Sequence, residues 1–314
     1  MHTLYAHERE SMAGSELTNV RSPRVKAARR LTKRAYREQD RRFLAEGPQA
    51  VREALKLDGV TLELFATAEA ELRHSELITE ATLQGIPVHR ASGEVMSELS
   101  QTVTPQGLLA VCGLVHVPLE QALGGPSGPG GPSGPGGPGG ADDTGDTGGV
   151  DDTGDMSGAG GGPRLVAVLA HVRDPGNAGT VMRAADAAGA DSVIFTDASV
   201  DPYNGKCVRA SAGSLFHLPV VIGAPVSAAV RQLKERGLRV LAADGAGKHT
   251  LDDVDLSGPT AWIFGNEAWG LPEEILAEAD DVVRVPIYGQ AESLNLATAA
   301  AVCLYSSARA QRVS

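Results

Sequence analysis

The stretch Leu165-Val-Ala-Val-Leu-Ala170, followed by Asp174-Pro-Gly-Asn-Ala-Gly-Thr-Val-Met-Arg183, decides the fold of the C-terminal half of this 314-residue chain. A continuous apolar run is typical of a parallel strand that is covered on both faces. The polar, glycine-containing stretch after it is typical of a loop that leads into a helix. That helix is predicted over about 178–188, and Gly189 follows it as a C′ residue. The stretch therefore predicts a strand–loop–helix unit.

The same alternation continues to the end of the chain. Further strands are predicted at 192–196, 219–222, 238–242, 261–264 and 281–285, and further helices at 208–215, 226–236 and 294–309. Strands that alternate with helices predict a mostly parallel sheet with helices on both faces. We therefore expect an α/β, doubly wound domain over residues 163–314.

Two more loops resemble the first in chemistry and position. Ile263-Phe-Gly-Asn-Glu-Ala-Trp-Gly-Leu271 and Val285-Pro-Ile-Tyr-Gly-Gln-Ala-Glu-Ser-Leu-Asn295 each follow a predicted strand and mix glycine with polar residues. In open α/β sheets, ligands bind at the carboxyl ends of the strands. Three such loops in one domain predict one composite site.

The N-terminal part predicts a smaller α/β domain over residues 21–118, after a disordered tail at 1–20. Between the two domains, residues 119–162 are dominated by Gly, Pro, Ser, Asp and Thr. Such a composition cannot bury enough apolar surface to offset its ordering entropy. We interpret this stretch as a flexible linker that marks the domain boundary.

The net charge of −11 is unevenly distributed along the chain. Residues 21–42 contain ten basic residues against two acidic ones, a local excess of eight positive charges, in a segment predicted to be largely helical. Six aspartates of the linker carry much of the negative charge. Because a partner responds to local charge, the acidic total does not exclude a nucleic acid.

Other classes of protein lack their sequence signals. The chain has three scattered cysteines, no metal-ligand spacing and no apolar run long enough to cross a bilayer, so we expect a cytoplasmic protein without a metal. Asp244-Gly-Ala-Gly-Lys-His-Thr250 departs from a P-loop at its first glycine position and at His249, and no GxGxxG fingerprint accompanies the first strand.

The three loops, in this order, resemble the signature motifs of the SpoU (TrmH) family. Ser22-Pro-Arg-Val-Lys26, Arg42-Phe-Leu-Ala-Glu-Gly47 and Thr104-Pro-Gln-Gly107 likewise look like the substrate-binding domain of that family. The resemblance covers about residues 20–118 and 163–312. It implies an RNA ribose 2′-O-methyltransferase that uses S-adenosyl-L-methionine and has the knotted SPOUT fold. The knot is implied by the resemblance alone.

The resemblance also assigns residues to the composite site. It implies catalytic roles for Arg183, Asn177, Glu267, Ser293 and Asn295, and contacts with the cofactor for Gly265, Val285, Ile287 and Leu294. The alternative interpretations are ordinary helix-start turns, an exposed arginine at position 183 and a helix N-cap at Ser293. We favour a phosphate-positioning role for Arg183, because small apolar neighbours predict that it lies on a largely buried helix and needs an anionic partner.

The basic residues predict the RNA contacts. Arg29, Arg30, Lys33 and Arg34 in the N-terminal segment, and Lys206 and Arg209 in the second domain, are expected to face RNA, with solvated surface as the alternative. The resemblance favours rRNA over tRNA as the substrate and a homodimer as the assembly. A tRNA 2′-O-methyltransferase and a non-catalytic RNA-binding protein of the same fold remain the alternative functions.

Overall fold

The structure, a computed structural model, describes residues 16–124 and 162–313. Most of the predicted tail and most of the predicted linker lie outside these ranges. Within them the chain forms a four-stranded sheet in the N-terminal domain and a seven-stranded sheet in the C-terminal domain. We call these the substrate domain and the catalytic domain, after the roles that the resemblance implies.

The substrate domain has the strand order β1-β4-β2-β3, in which only the β2–β3 pair is parallel. Its strands are β1 Arg42–Glu46, β2 Thr61–Ala66, β3 Val88–Arg90 and β4 Leu108–Gly113. Its helices are α1 Pro23–Arg30, α2 Arg34–Asp40, α3 Pro48–Leu55, α4 Ala68–Arg73, α5 Ser75–Leu83 and α6 Gly93–Leu99. Leu17, in the predicted tail, is instead paired with Ala91 beside β3. The segment from 114 to 124 contributes one short helix, α7 Leu119–Ala122.

The catalytic domain confirms the predicted parallel α/β architecture. Its strands are β5 Leu165–Leu169, β6 Ser192–Thr196, β7 Val220–Ala224, β8 Arg239–Ala243, β9 His249–Thr250, β10 Thr260–Phe264 and β11 Asp281–Arg284. They lie in the order β7-β6-β5-β10-β8-β11-β9, and every paired neighbour is parallel. The helices are α8 Pro175–Ala188, α9 Gly205–Ser211, α10 Val226–Glu235, α11 Glu273–Glu278 and α12 Leu296–Val313. The knot implied by the resemblance stays a prediction.

Alternate residues of each central strand enter different hydrophobic cores. Leu169 and Phe264 pack in the core that α8 and α12 cover, whereas Val168 and Ile263 pack in the core that α10 covers. This burial on both faces explains why the sequences of β5 and β10 are almost continuously apolar. The sheet therefore holds the loops at its carboxyl edge on a rigid base.

Polar side chains join the two domains. Arg37 of α2 is buried and binds Asp201 at 2.9 Å through its Nε atom, and Arg209 of α9 binds Glu46 at 2.9 Å. The Tyr203 hydroxyl accepts hydrogen bonds at 2.8 Å from the main-chain N–H groups of Val115 and His116. The domains consequently share a continuous interface that fixes their relative orientation.

The chain crosses from one domain to the other before the predicted linker ends. The main-chain N–H of Val117 donates to the carbonyl of Val220 in β7 at 2.9 Å, and Leu123 is buried in the α10-side core. The first residues of the predicted linker are thus packed on the catalytic sheet. Both ends of the remaining stretch meet Arg236, whose Nε donates to the Leu123 carbonyl at 2.8 Å and whose carbonyl lies 4.0 Å from the Cβ position of Gly162.

Candidate active site

The three loops quoted from the sequence meet at one edge of the catalytic sheet. They follow β5, β10 and β11, which are parallel and therefore end at the same edge. The three loops of the predicted composite site therefore lie at the same edge of the sheet. The geometry of this site depends on the hydrogen bonds between the loops.

The first loop is held by the start of α8. Asp174 is the N-cap residue and accepts a hydrogen bond from the Asn177 main-chain N–H at 2.8 Å, with Pro175 in the first helical turn. Lys206 of α9 binds the same carboxylate at 2.7 Å. The hydrogen bonds from Lys206 and from the Asn177 main chain hold the pKa of Asp174 below its usual value. The ion pair between Asp174 and Lys206 was not predicted from the sequence. The Asp-Pro dipeptide at the helix start was, however, a signal for the N-cap at Asp174.

Glu267 ties the second loop to the first. Its carboxylate accepts hydrogen bonds from the main-chain N–H groups of Arg173 at 3.2 Å and Asp174 at 3.0 Å, and from the Asn177 side-chain amide at 3.2 Å. Three donors already occupy this carboxylate. The geometry therefore suits a residue that fixes the start of α8 better than a free general base.

Asn295 completes the link to the third loop. Its Nδ2 donates to Oδ1 of Asn177 at 3.0 Å, and its Oδ1 accepts from the main-chain N–H of Ala297 at 2.9 Å at the start of α12. Asn295 is therefore the residue that caps α12, and the alternative interpretation of Ser293 as its N-cap is wrong. Ser293 is exposed and makes no hydrogen bond within the described residues. A series Asn295–Asn177–Glu267 thus connects all three loops.

Arg183 lies on α8 about 9 Å along the helix axis from Asn177. The side chain is exposed and has no ion pair with any residue that the structure describes, whereas its neighbours Met182 and Ala185 are buried. Arg183 is therefore exposed on a helix whose other face is buried, and its need for an anionic partner stays a prediction. The guanidinium faces solvent with its donors free, and it can meet an external anion.

The predicted cofactor contacts fall on the second and third loops. Ile287 and Leu294 are partly exposed, at 39% and 38%, and Val285 is half-buried directly after β11. Among the described residues, no main-chain N–H or C=O group from position 287 to 294 has a hydrogen-bond partner. Unpaired main-chain groups beside apolar side chains could hold the adenine ring of a nucleoside without a charged residue.

The geometry of Gly265 has an explanation within the protein itself. A Cβ atom at this position would lie 2.5 Å from the carbonyl carbon of Gly270, in a tight turn where Asn266 and Gly270 exchange two main-chain hydrogen bonds. Asn266 is buried and donates to the carbonyl of His171 at 2.9 Å, which fixes His171 at the unusual φ of 60°. Nothing in the sequence signalled this strained position.

Most of the predicted RNA contacts are engaged in ion pairs. Arg30 binds Asp40 through two hydrogen bonds of 2.7 Å, Arg34 binds Glu38 at 2.7 Å, and Arg29 pairs with Glu98. Lys206 and Arg209 are paired with Asp174 and Glu46, and Lys33 alone of the six has no partner among the described residues. The predicted helical segment is also interrupted, with α1 and α2 separated by 31–33. The excess of positive charge in the sequence is thus partly balanced in the fold. Because exposed pairs are weak, a phosphate could replace the carboxylate in those at α1 and α2.

Two further properties bear on the class of site. No group of three or more His, Cys, Asp or Glu side chains in residues 16–124 and 162–313 is arranged to hold a metal ion. No helix in these ranges has the length and apolar character needed to span a membrane.

Comparison with known proteins finds matches for both domains. Residues 164–305 match the SpoU rRNA Methylase family, and residues 22–110 match the MRM3-like substrate binding domain. This chain belongs to the SpoU rRNA Methylase family. The predicted family, the α/β fold and the prediction of a methyltransferase are confirmed.

Individual relatives cover most of the chain. The 23S rRNA (guanosine(2553)-2′-O)-methyltransferase of Bacillus subtilis is 32% identical over 290 residues, which are 92% of this chain and 98% of that protein. A 23S rRNA (guanosine-2′-O-)-methyltransferase of Bordetella pertussis is 34% identical over 148 residues, or 47% of this chain and 60% of that protein. The AdoMet-bound rRNA methyltransferase of Sinorhizobium meliloti superposes with a TM-score of 0.72 at 28% identity, covering 94% of this chain and 97% of that structure.

Proposed function

We propose that this protein transfers the methyl group of S-adenosylmethionine to a ribose 2′-hydroxyl of RNA, with rRNA as the substrate. The observation that carries the proposal is the series Asn295–Asn177–Glu267, which joins three loops from different strands into one site. The names of the B. subtilis and B. pertussis relatives support rRNA and the ribose 2′-oxygen. An rRNA substrate would in turn support a cytoplasmic location.

The residues at the site fit the cofactor, and different residues are assigned to the cofactor and to the RNA. S-adenosylmethionine, when bound, supplies an electrophilic methyl group on a sulfonium. The free main-chain groups at 287–294, between Val285 and Asn295, would hold its adenosine part. Its binding in the Sinorhizobium meliloti structure supports this choice of cofactor.

Arg183 would act on the RNA side of the reaction. A guanidinium stays protonated in proteins and is therefore a poor general base, but its planar shape lets it bond a phosphate through two donors. We infer that it positions the RNA phosphate and stabilises the negative charge that develops on the 2′-oxygen. Asn177, Glu267 and Asn295 keep α8, and therefore Arg183, in register with the other two loops. Ser293, exposed beside them, is free to contact RNA or cofactor.

The experiment is methyl transfer from tritium-labelled S-adenosylmethionine to RNA from cells that lack the protein. We expect label in rRNA and one position that becomes 2′-O-methylated when the protein is restored. Label in tRNA alone would favour the tRNA alternative. Cofactor binding without transfer to any RNA would favour the non-catalytic RNA-binding protein.

We further propose a homodimer. Large apolar side chains remain exposed on the catalytic domain, among them Trp269 at 60%, Tyr288 at 88% and Tyr305 at 52%. Scattered apolar residues are ordinary on a surface, but these belong to the second loop, the third loop and α12, beside the site. Light scattering should report about twice the chain mass of 32.5 kDa. A fully active monomer would contradict the proposal.

A further inference from the structure

A cavity of about 330 Å³ opens between the two domains, at the end of α9 opposite Lys206. It is lined by polar side chains of the substrate domain and by the C-terminal end of α9: Glu46, Gln49, Thr104, Gln106, Arg209 and Ala212. Its volume lies in the lower part of the range for ligand sites, about 300–1,000 Å³. None of these residues belongs to the three loops of the candidate active site.

One wall of the cavity is a fixed ion pair. Glu46 accepts hydrogen bonds from Arg209 at 2.9 Å, from the Thr102 hydroxyl at 2.6 Å and from the Gln101 main-chain N–H at 3.2 Å, besides the Ser100 hydroxyl. Burial would raise the pKa of Glu46, but these hydrogen bonds and the charge of Arg209 together hold it below its usual value. The carboxylate is therefore charged, and it orients both α9 and the loop that leads to Thr104.

The opposite wall carries polar groups without partners. Within the described residues, the Thr104 hydroxyl and the Gln106 amide make no hydrogen bonds, and Arg209 uses only its Nη1 atom, on Glu46. Gln106 is nevertheless held in place, because its Oε1 packs over Gly47, where a Cβ atom would lie only 2.7 Å away. The φ of 96° at Gly47 likewise favours glycine there. The cavity thus offers an amide, a hydroxyl and the remaining guanidinium donors.

We propose that this cavity binds one nucleotide of the RNA substrate, near the methylated nucleotide in the RNA. An amide side chain has a donor and an acceptor that match the edge of an unpaired base, and a guanidinium suits a phosphate. The inference rests on the proposed function, since it concerns a second contact with the same RNA.

The position of the cavity relative to the active site supports a contact of this kind. α9 has seven residues and spans about 10 Å. Lys206 in its first turn binds Asp174, the cap of α8, while Arg209 in its last turn lines the cavity. A nucleotide in the cavity would therefore lie against both domains and one short helix away from the start of α8. We infer that it helps to select which ribose reaches Arg183.

The test is RNA affinity, measured by filter binding with rRNA from cells that lack the protein. The double variant Thr104→Val, Gln106→Ala removes the two free polar groups, and Gln121→Ala on α7 removes an exposed amide that does not line the cavity as a control. We expect about tenfold weaker RNA binding for the double variant, as for the loss of two hydrogen bonds. Gln121→Ala should bind like the wild type, and melting temperature and S-adenosylmethionine affinity should stay unchanged in both variants.

A second measurement locates the contact. Transcripts of rRNA that contain 4-thiouridine should cross-link under ultraviolet light to the peptide around 102–107. Unchanged RNA affinity together with no cross-link in this peptide would overturn the cavity proposal, and continued methyl transfer would then leave the proposed function intact. Weaker binding of the double variant without any methyl transfer by the wild type would instead overturn the proposed function alone. A wild type that binds no RNA would overturn both.

Discussion

Asn177 and Arg183 leave α8 in different directions and meet different surroundings. Asn177 is locked between Glu267 and Asn295, whereas Arg183 is exposed and unpaired among the described residues. The locked residue can set geometry, and the free one can meet a ligand. This difference allows the two contributions to be separated by mutation.

Arg183→Ala should lower methyl transfer about a hundredfold or more, because a donor that stabilises developing charge is lost. Stability and S-adenosylmethionine affinity should hardly change, since the side chain is exposed and makes no hydrogen bond or ion pair within the described residues. Calorimetry measures the affinity for S-adenosylmethionine, and the tritium assay measures methyl transfer. Arg231→Ala removes an exposed arginine of α10 and should behave like the wild type. Turnover of the Arg183 variant close to that of the control would refute the assignment.

The sequence predicted these residues better than it predicted their surroundings. The position of Asn177 at the start of a helix follows from a recognisable cap and proline. The exposure of Arg183 did not follow, because small neighbours such as Ala184 fit a buried helix and an exposed one equally well. Asn295, in place of Ser293, caps α12 because the loop continues two residues further than its pattern suggested.

At the scale of elements, the contact between α8 and α9 is tightest at Gly179. A Cβ atom there would lie 2.4 Å from the carbonyl oxygen of Cys207 and 2.7 Å from Cβ of Ala210. This close approach places Lys206 beside Asp174. The strands and most helices were predictable from apolar runs and glycine stops, but a helix-to-helix distance depends on residues that are distant in sequence.

Gly179→Ala should therefore destabilise the catalytic domain by about 1–3 kcal/mol, the usual cost of overpacking. Gly93→Ala is the control, because Gly93 is also helical, as the first residue of α6, and a Cβ atom there meets nothing within 4 Å. Denaturant unfolding compares the two variants. Equal stability of both would show that α9 can move away from α8 without cost.

At the scale of the whole molecule, His217 connects the domains. Its Nε2 lies 3.0 Å from Glu53 of the substrate domain and its Nδ1 lies 2.8 Å from Asp186 of α8. Burial lowers the pKa of His217, but the hydrogen bonds to the two carboxylates outweigh this and raise it above its usual value. The charged imidazole is thus the form that the interface favours.

A raised pKa in the folded state implies stability that is complete below about pH 6.5 and is lost as the pH rises through the folded-state pKa. We expect the melting temperature of the wild type to exceed that of His217→Gln at pH 6, and the difference to shrink by pH 9. Thermal melts of both proteins across this pH range test whether the difference in melting temperature decreases as the pH rises. A difference that grows with pH would show that the neutral imidazole is the form that stabilises the interface.

The segment 125–161 can be tested by replacement. Because its two flanking ends meet at Arg236, about ten Gly/Ser residues should close the gap, and loop-closure entropy changes only slowly with length. The trimmed protein should keep its melting temperature and its cofactor affinity. A decrease of more than about 5 °C, which exceeds about 1 kcal/mol for a domain of this size, would show that the segment contributes packing.

The two ends that meet at Arg236 lie before β5 and beside the end of α10, on the opposite edge of the catalytic sheet from the three loops. Insertions and deletions between them should therefore leave the spacing of the strands and the geometry of the three loops unchanged. Natural selection should therefore tolerate drift in the length and composition of this stretch far more than in any other connection of the catalytic domain. Related genes should differ in length mainly here, and a reporter domain could be grafted at this point with the catalytic edge left open.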